Sequence, residues 1–268
     1  MTRTKGSLIS GTLTTMKEWW PSVALLGLLT LAVELFARTN SIPRVILPAV
    51  SDLAASIRNT GPSFLLRHFS MTAFESVAGF AIGAGVGFGI GVMMYYSRFL
   101  ERILYPIVVT SKAVPLVAMA PLLTFWLGYD VWAKIIMAAL VSYFPVTVGT
   151  VSGLKYVDQE LTDLLKSLGA DERKVFTEVR LRAALPNVFA ALKIASVLSV
   201  VGSVVGEMAG STGGLGYLLL ASIYYVDVAL SAAICLVMAS LGLSMFTTVA
   251  LLEQKIINWR PAVDTGNR

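Results

Sequence analysis

One histidine, one cysteine and 16 carboxylates are what this 268-residue chain has for chemistry. His68 and Cys235 alone make no metal cluster, no disulfide and no Cys–His catalytic pair. His68 is expected in an outer loop with no acid beside it, so a membrane-embedded enzyme would lack its nucleophile–base pair. No Gly-x-x-x-x-Gly-Lys-Ser/Thr phosphate loop occurs, so the chain does not itself cradle ATP. The notable ionisable groups sit in apolar runs: Lys112 and Glu207 deepest, with Glu34, Glu75 and Lys193 nearer the ends. A charge at the bilayer centre costs roughly 2.5–3.5 kcal/mol and faces a partner or an aqueous path. Lys112 therefore either lends positive potential to a path for an anion, or pairs with Glu207 or Glu75, or snorkels.

The elements that position these groups follow from composition. The chain is 56% hydrophobic and 14% charged, with mean hydropathy +0.75. Soluble domains carry about 25% charged residues, so a water-soluble fold, a disordered chain and a disulfide-stapled module are excluded together. About 20 apolar residues are needed to cross the hydrocarbon layer. Six stretches are candidates: 21–37, 71–96, 103–126, 131–153, 186–210 and 228–252. The first follows Arg3, Lys5 and Lys17 but lacks a small-residue cleavage site, and is read as a retained helix. The sequence thus predicts an all-α polytopic membrane protein of about six transmembrane helices.

The basic residues give the orientation. With the N-terminus inside, the inner segments hold Arg3, Lys5, Lys17, Arg98, Arg102, Lys155, Lys166, Arg173, Lys174, Arg180, Arg182, Lys255, Arg260 and Arg268, 14 of the 21. This bias puts both termini in the cytoplasm. It also accounts for the net charge of +5 without nucleic acid. The expected organisation is a cytoplasmic tail over 1–20, a transmembrane domain over 21–252 and a second tail over 253–268. The segment 40–70 is basic for an outer one, and a short surface helix is expected from Ser51-Asp52.

Three local patterns stand out within the spans. Gly79, Gly83, Gly87 and Gly91 form a ridge of four-residue spacing for close helix approach, with Gly85 and Gly89 on the neighbouring flank. Pro115 and Pro121 should kink the third span, which would bring Ser111, Lys112, Val114, Pro115 and Met119 near a central pathway, with Glu207 as a further candidate. Gly210, Ser211, Gly213 and Gly214 begin a polar stretch that is either an outer gate or a plain turn.

The long inner loop, 154–185, balances six basic against six acidic residues. Leu161, Leu164, Leu165 and Leu168 fall on one helical stripe, with Asp163 and Lys166 opposite and Gly169 as a stop. Ala170 follows, and Asp171 can cap a second short helix whose buried face is Val175, Phe176 and Val179. A surface anchor and a docking knob both fit. The charge balance favours docking, since attraction to anionic lipid would call for a basic excess.

At this point the chain resembles the permease subunits of ABC importers. The carriers are Asp163-Leu164-Leu165-x-x-x-Gly169, Val179-x-Leu181 and Ala183-Ala184-Leu185-Pro186. Leu47-Pro48, Val114-Pro115-Leu116, Ala120-Pro121-Leu122, Phe125-Trp126-Leu127-Gly128, Phe144-Pro145, Gly206-Glu207-Met208 and Gly214-Leu215-Gly216-Tyr217 are similar to the nitrate/sulfonate/taurine branch. Asp163 stands for the usual Glu, Leu164 and Leu165 for two alanines, and Arg182 for a proline.

The resemblance implies a type I importer permease fold in a bacterial inner membrane. It implies a second permease subunit, giving a homodimer, two cytoplasmic ATPase subunits carrying ATP and Mg, and an extracytoplasmic solute-binding protein. The helix from Leu161 to Gly169 would be the ATPase-coupling element, and the bulk of Leu164 and Leu165 implies a roomy ATPase groove. A small anion is the leading substrate, with a pyrimidine or riboflavin-type vitamin precursor second. An ion-gradient-driven transporter is the reading from another class; it would show paired intramembrane carboxylates and two repeated halves, and the sequence offers no repeat.

Overall fold

The computed structural model describes residues 7–39, 43, 45–157 and 159–258, with the backbone alone at 7–19, 22, 23, 159 and 161. Arg3, Lys5, Arg44, Asp158, Arg260 and Arg268 lie outside the described residues, as do parts of both expected tails. Every regular element described is helical: α1 (Ser7–Thr39), α2 (Val50–Thr60), α3 (Pro62–Tyr96), α4 (Arg98–Thr110), α5 (Leu116–Leu127), α6 (Val131–Lys155), α7 (Gln159–Ser167), α8 (Glu172–Val175), α9 (Leu181–Ala209), α10 (Leu215–Tyr224) and α11 (Val228–Ile256).

Among the described residues four helices are long and apolar enough to cross a membrane: α3, α6, the helix running Glu172–Ala209, and α11. The bent α4–α5 pair makes a fifth if it is one span. The first expected span, 21–37, lies inside α1. The second begins earlier than expected, because helix α3 already starts at Pro62, a residue suited to a first helical turn. His68 is therefore buried inside a helix rather than in an outer loop.

The chain divides into two compact units. One takes the residues up to Pro62 together with Ser222–Ala233; the other takes Ser63–Ala221 and Ile234 onward. In the first unit, α2 provides the short helix expected near Ser51. The Glu34 carboxylate joins it to α1, accepting from the Ser51 N–H at 3.1 Å, the Ser51 hydroxyl at 2.9 Å and Arg38 at 2.5 Å.

The second unit is organised around α6. The glycine ridge of α3 lies against it so closely that side chains would not fit. A Cβ on Gly83 would meet the Ala139 carbonyl oxygen at 2.6 Å, and one on Gly79 the Ile135 oxygen at 2.7 Å. On another face of α6, a Cβ on Gly202 of α9 would meet Ala138 Cα at 2.7 Å, and one on Gly153 of α6 itself the Ala184 oxygen at 2.9 Å. With no hydrophobic force between helices in lipid, this dispersion contact is what holds them. Gly85 and Gly89 face open space.

Gly83→Ala should destabilise the fold by about 1–3 kcal/mol through overpacking against backbone. Gly85→Ala should be neutral or stabilising by up to about 1 kcal/mol. Thermal melts of the two variants in one detergent compare the two directly.

Candidate functional site

The knob expected on the inner face is built by two stop signals. Helix α7 ends in a Schellman motif: Gly169 takes φ +86, its N–H donates to the Lys166 oxygen at 3.0 Å, and the Ala170 N–H to the Leu165 oxygen at 3.0 Å. Asp171 then caps the next helix, accepting from the Lys174 N–H at 2.9 Å. Lys166 pairs with Glu172 at 2.9 Å across the turn. The side chain of Leu161 lies outside the described residues, and the remaining leucines divide. Leu165 is half-buried in a cleft of about 210 Å³ with Val175 and Val179. Leu164 is 56% exposed and Leu168 74% exposed, beside exposed Asp163. The expected single apolar stripe thus divides: Leu165 holds the knob together, Leu164 is presented outward, and Leu168 lines the same cleft while remaining largely exposed.

The second short helix does not stand alone. Four residues of α8 pass through a π-helical turn, Phe176–Arg180, directly into α9, giving one helix from Glu172 to Ala209. In that turn the Leu181 N–H reaches back five residues to the Phe176 oxygen. No stop residue separates Asp171 from the span, so the loop contributes one free helix rather than two.

The third span is broken rather than kinked. Helix α4 tightens into a 3-10 turn, Ser111–Ala113, and Val114 and Pro115 are extended before α5 departs at 98°. Proline disfavours a helical residue before it, which places the break at Val114; Pro121 sits inside α5. The break opens a cavity of about 270 Å³ lined by Ser111, Lys112, Val114, Pro115 and Met119, together with Leu116, Leu140, Val141 and Tyr143. Five of the six pathway candidates are brought together there.

Glu207 is not among them, and the Lys112–Glu207 and Lys112–Glu75 pairs do not form. Lys112 Nζ instead donates to the Val141 oxygen at 3.2 Å and lies 5.1 Å from the centre of the Phe144 ring. The reason lies in α6: Pro145 has no N–H to offer the carbonyl four residues earlier, which is that of Val141. An ammonium group satisfies an acceptor that the helix leaves open. The Ser111 and Tyr143 hydroxyls bond to one another beside it.

Glu207, 1% exposed, anchors the Gly210–Tyr217 stretch. Its carboxylate accepts from the Thr72 hydroxyl and the Gly216 N–H, both at 2.6 Å. Thr72 Oγ1 in turn accepts from the Leu215 N–H at 2.8 Å, and His68 Nδ1 from the Gly214 N–H at 3.0 Å. An anion at the N-terminal end of α10 meets its unpaired N–H groups and the positive end of its dipole. Of the four gate residues, Gly214 carries this arrangement, with φ +96. Gly213 lies against Met71, Gly210 lies against Thr124 and Tyr129, and Ser211 bonds the Gly213 oxygen at 2.7 Å. Glu75 is 3% exposed near Glu207, and one of its carboxyl oxygens has no hydrogen-bond partner. Lys134 is 2% exposed, with its ammonium on the Tyr129 and Asp130 oxygens at 2.6 and 3.0 Å.

Together these features make a helical membrane bundle with a short free helix on its longest loop, a broken span and a glycine-packed centre. Solved structures support the fold. A chain of the MetNI methionine ABC transporter in an inward-facing conformation matches with TM-score 0.59 and 20% identity, over 73% of this chain and 95% of that one. A chain of an amino acid ABC transporter matches with TM-score 0.58 and 18% identity, over 76% and 97%. The family described as "Binding-protein-dependent transport system inner membrane component" matches residues 81–258, and this chain belongs to it.

Among relatives, a probable ABC transporter permease protein of Haemophilus influenzae is 33% identical over 87% of this chain and 95% of its own length. The formylaminopyrimidine transport permease protein ThiX of Halalkalibacterium halodurans is 30% identical over 85% and 90%. A putative aliphatic sulfonates transport permease protein of Bacillus subtilis is 31% identical over 73% and 71%.

Gly214→Ala would strain a left-handed residue and drive a Cβ into the Glu207 carboxylate. A loss of about 2 kcal/mol is expected. Gly213→Ala meets only the flexible end of Met71 and should cost less. The ranking of the two melting temperatures tests the assignment.

Proposed function

We propose that this chain is the membrane subunit of an ATP-driven importer, working as a homodimer with two cytoplasmic ATPase subunits and an extracytoplasmic solute-binding protein. The observation that carries the reading is the α7 knob: a helix of nine residues, closed by Gly169, that presents Leu164 and Leu168 to solvent and leads through Asp171 into the long helix Glu172–Ala209. In the orientation given by the basic residues it projects into the cytoplasm. Two exposed leucines beside Asp163 suit an apolar groove with a cationic edge on an ATPase. Closure of the ATPases on ATP would move the paired knobs, and the long helices would carry that motion to the broken span, giving alternating access.

The substrate class is a small anion, such as a sulfonate. Its support is the single cation, Lys112, held at the cavity of the broken span by a neutral carbonyl rather than a carboxylate, so its charge is not cancelled there. Relatives named for formylaminopyrimidine and riboflavin transport favour a heterocyclic vitamin precursor as the second substrate reading. The two neighbouring buried carboxyls, Glu75 and Glu207, are the observation that favours an ion-gradient-driven transporter. Against it, Glu207 is occupied in holding the start of α10.

Leu168→Cys in a Cys235→Ser background should cross-link to the ATPase subunit, and Gly169→Val should reach the membrane at normal abundance yet abolish ATP-dependent uptake. Uptake by Gly169→Val at the wild-type rate, or transport without any ATPase, would refute the coupling role. Lys112→Met should raise the KM for an anionic solute at least about tenfold, and, by leaving the Val141 oxygen without its donor, lower the melting temperature slightly; the same KM in both proteins would remove the anion reading.

A further inference from the structure

A second charged cavity, of about 790 Å³, lies where the apolar helices end on the side of the knob. Its walls come from the last turn of α3 (Tyr95), the first two turns of α4 (Arg98, Glu101, Arg102), the end of α6 (Lys155) and the π-helical turn (Arg180). Four cations face one carboxylate, and Glu101 is already paired with Lys155. The Arg180 guanidinium lies 5.2 Å from the centre of the Tyr95 ring, so the cavity touches the loop that carries the knob.

We infer that this cavity binds the phosphate-bearing headgroup of an anionic lipid. Three observations point to a lipid rather than a soluble phosphate. First, its residues sit at the ends of membrane helices α3 and α6 and just before α9, the depth at which a lipid phosphate lies. Second, Tyr95 and Tyr105 line it, and tyrosine rings favour the headgroup level. Third, α4 carries an apolar stripe next to its basic one: Phe99, Ile103 and Ile107, at i, i+4 and i+8, are 71%, 44% and 59% exposed. One molecule with a phosphate and an acyl chain satisfies both stripes. Basic pockets between spans on the cytoplasmic side suit such headgroups, and the anionic lipids are enriched in that leaflet. A headgroup bridging Arg98 and Arg102 to Arg180 ties the root of the knob to α4. The inference rests on the membrane placement of the chain and on its orientation, not on the substrate reading.

The test is lipid retention by the intact transporter, released from nanodiscs of 7:3 phosphatidylcholine and phosphatidylglycerol and weighed by native mass spectrometry. Arg98→Gln/Arg102→Gln should reduce retained phosphatidylglycerol about 30-fold, the conversion of two charges at about 1 kcal/mol each. Arg58→Gln/Arg67→Gln, the same charge change outside the cavity, should leave it unaltered. If the double variant fails to fold, Arg102→Gln alone should lose about fivefold. Equal retention by cavity and control variants overturns the inference. So does full displacement by 10 mM inorganic phosphate, which identifies a soluble-anion site, or retention that vanishes when the ATPase is bound, which identifies a protein interface. None of these readouts involves uptake, so they fail independently of the transport reading.

Discussion

The structure depends on how closely three helix backbones approach. Where Gly83 faces Ala139 and Gly202 faces Ala138, the distance is set by main-chain atoms, with no side chain between them. In water such a contact would be supplemented by hydrophobic burial; in lipid it has to rely on dispersion and fit. That makes the α3–α6–α9 contact rigid and intolerant of added volume. The polar groups inside it, Ser76 on Ser203 and Ser142 on the Ala195 oxygen, are fixed by the same proximity.

Around this rigid centre, function is assigned to places where helices stop. Three departures from regular helix have an identifiable cause: Gly169 ends α7, Pro115 forbids a helical Val114, and Gly214 turns the chain so that Glu207 can meet α10. Each stop exposes backbone groups, and each is answered by a particular partner. The Lys112 ammonium group on the carbonyl left free by Pro145 follows the same rule inside α6.

Much of this was legible in the sequence because it is local. The four-residue glycine spacing, the Asp171 cap and the Gly169 stop each involve neighbours within one or two turns, and periodicity captures those. The five residues around the broken span are close in sequence and line one cavity, though at a break rather than the expected kink. What was not legible is tertiary. Nothing near Lys134 announces that it folds back onto Tyr129, and His68 looks like a loop residue until α3 is seen to begin at Pro62. The partner of Lys112 was missed for a different reason: the clue was Phe144-Pro145, more than thirty residues away, and it concerned a missing N–H rather than a charge. The merger of α8 into α9 was hidden because a π-helical turn leaves no compositional trace.

The run from Glu172 to Ala209 is 38 residues, roughly 57 Å at about 1.5 Å per residue. It holds two points where a helix bends most readily, the π-helical turn and Pro186, and both lie toward the Asp171 end. From there to Ala209 no proline interrupts it, and the main-chain approach of Gly202 to α6 pins this stretch. A displacement of the Asp171 end would be taken up first as bending at those two points, and only the remainder would reach the tip beside Glu207.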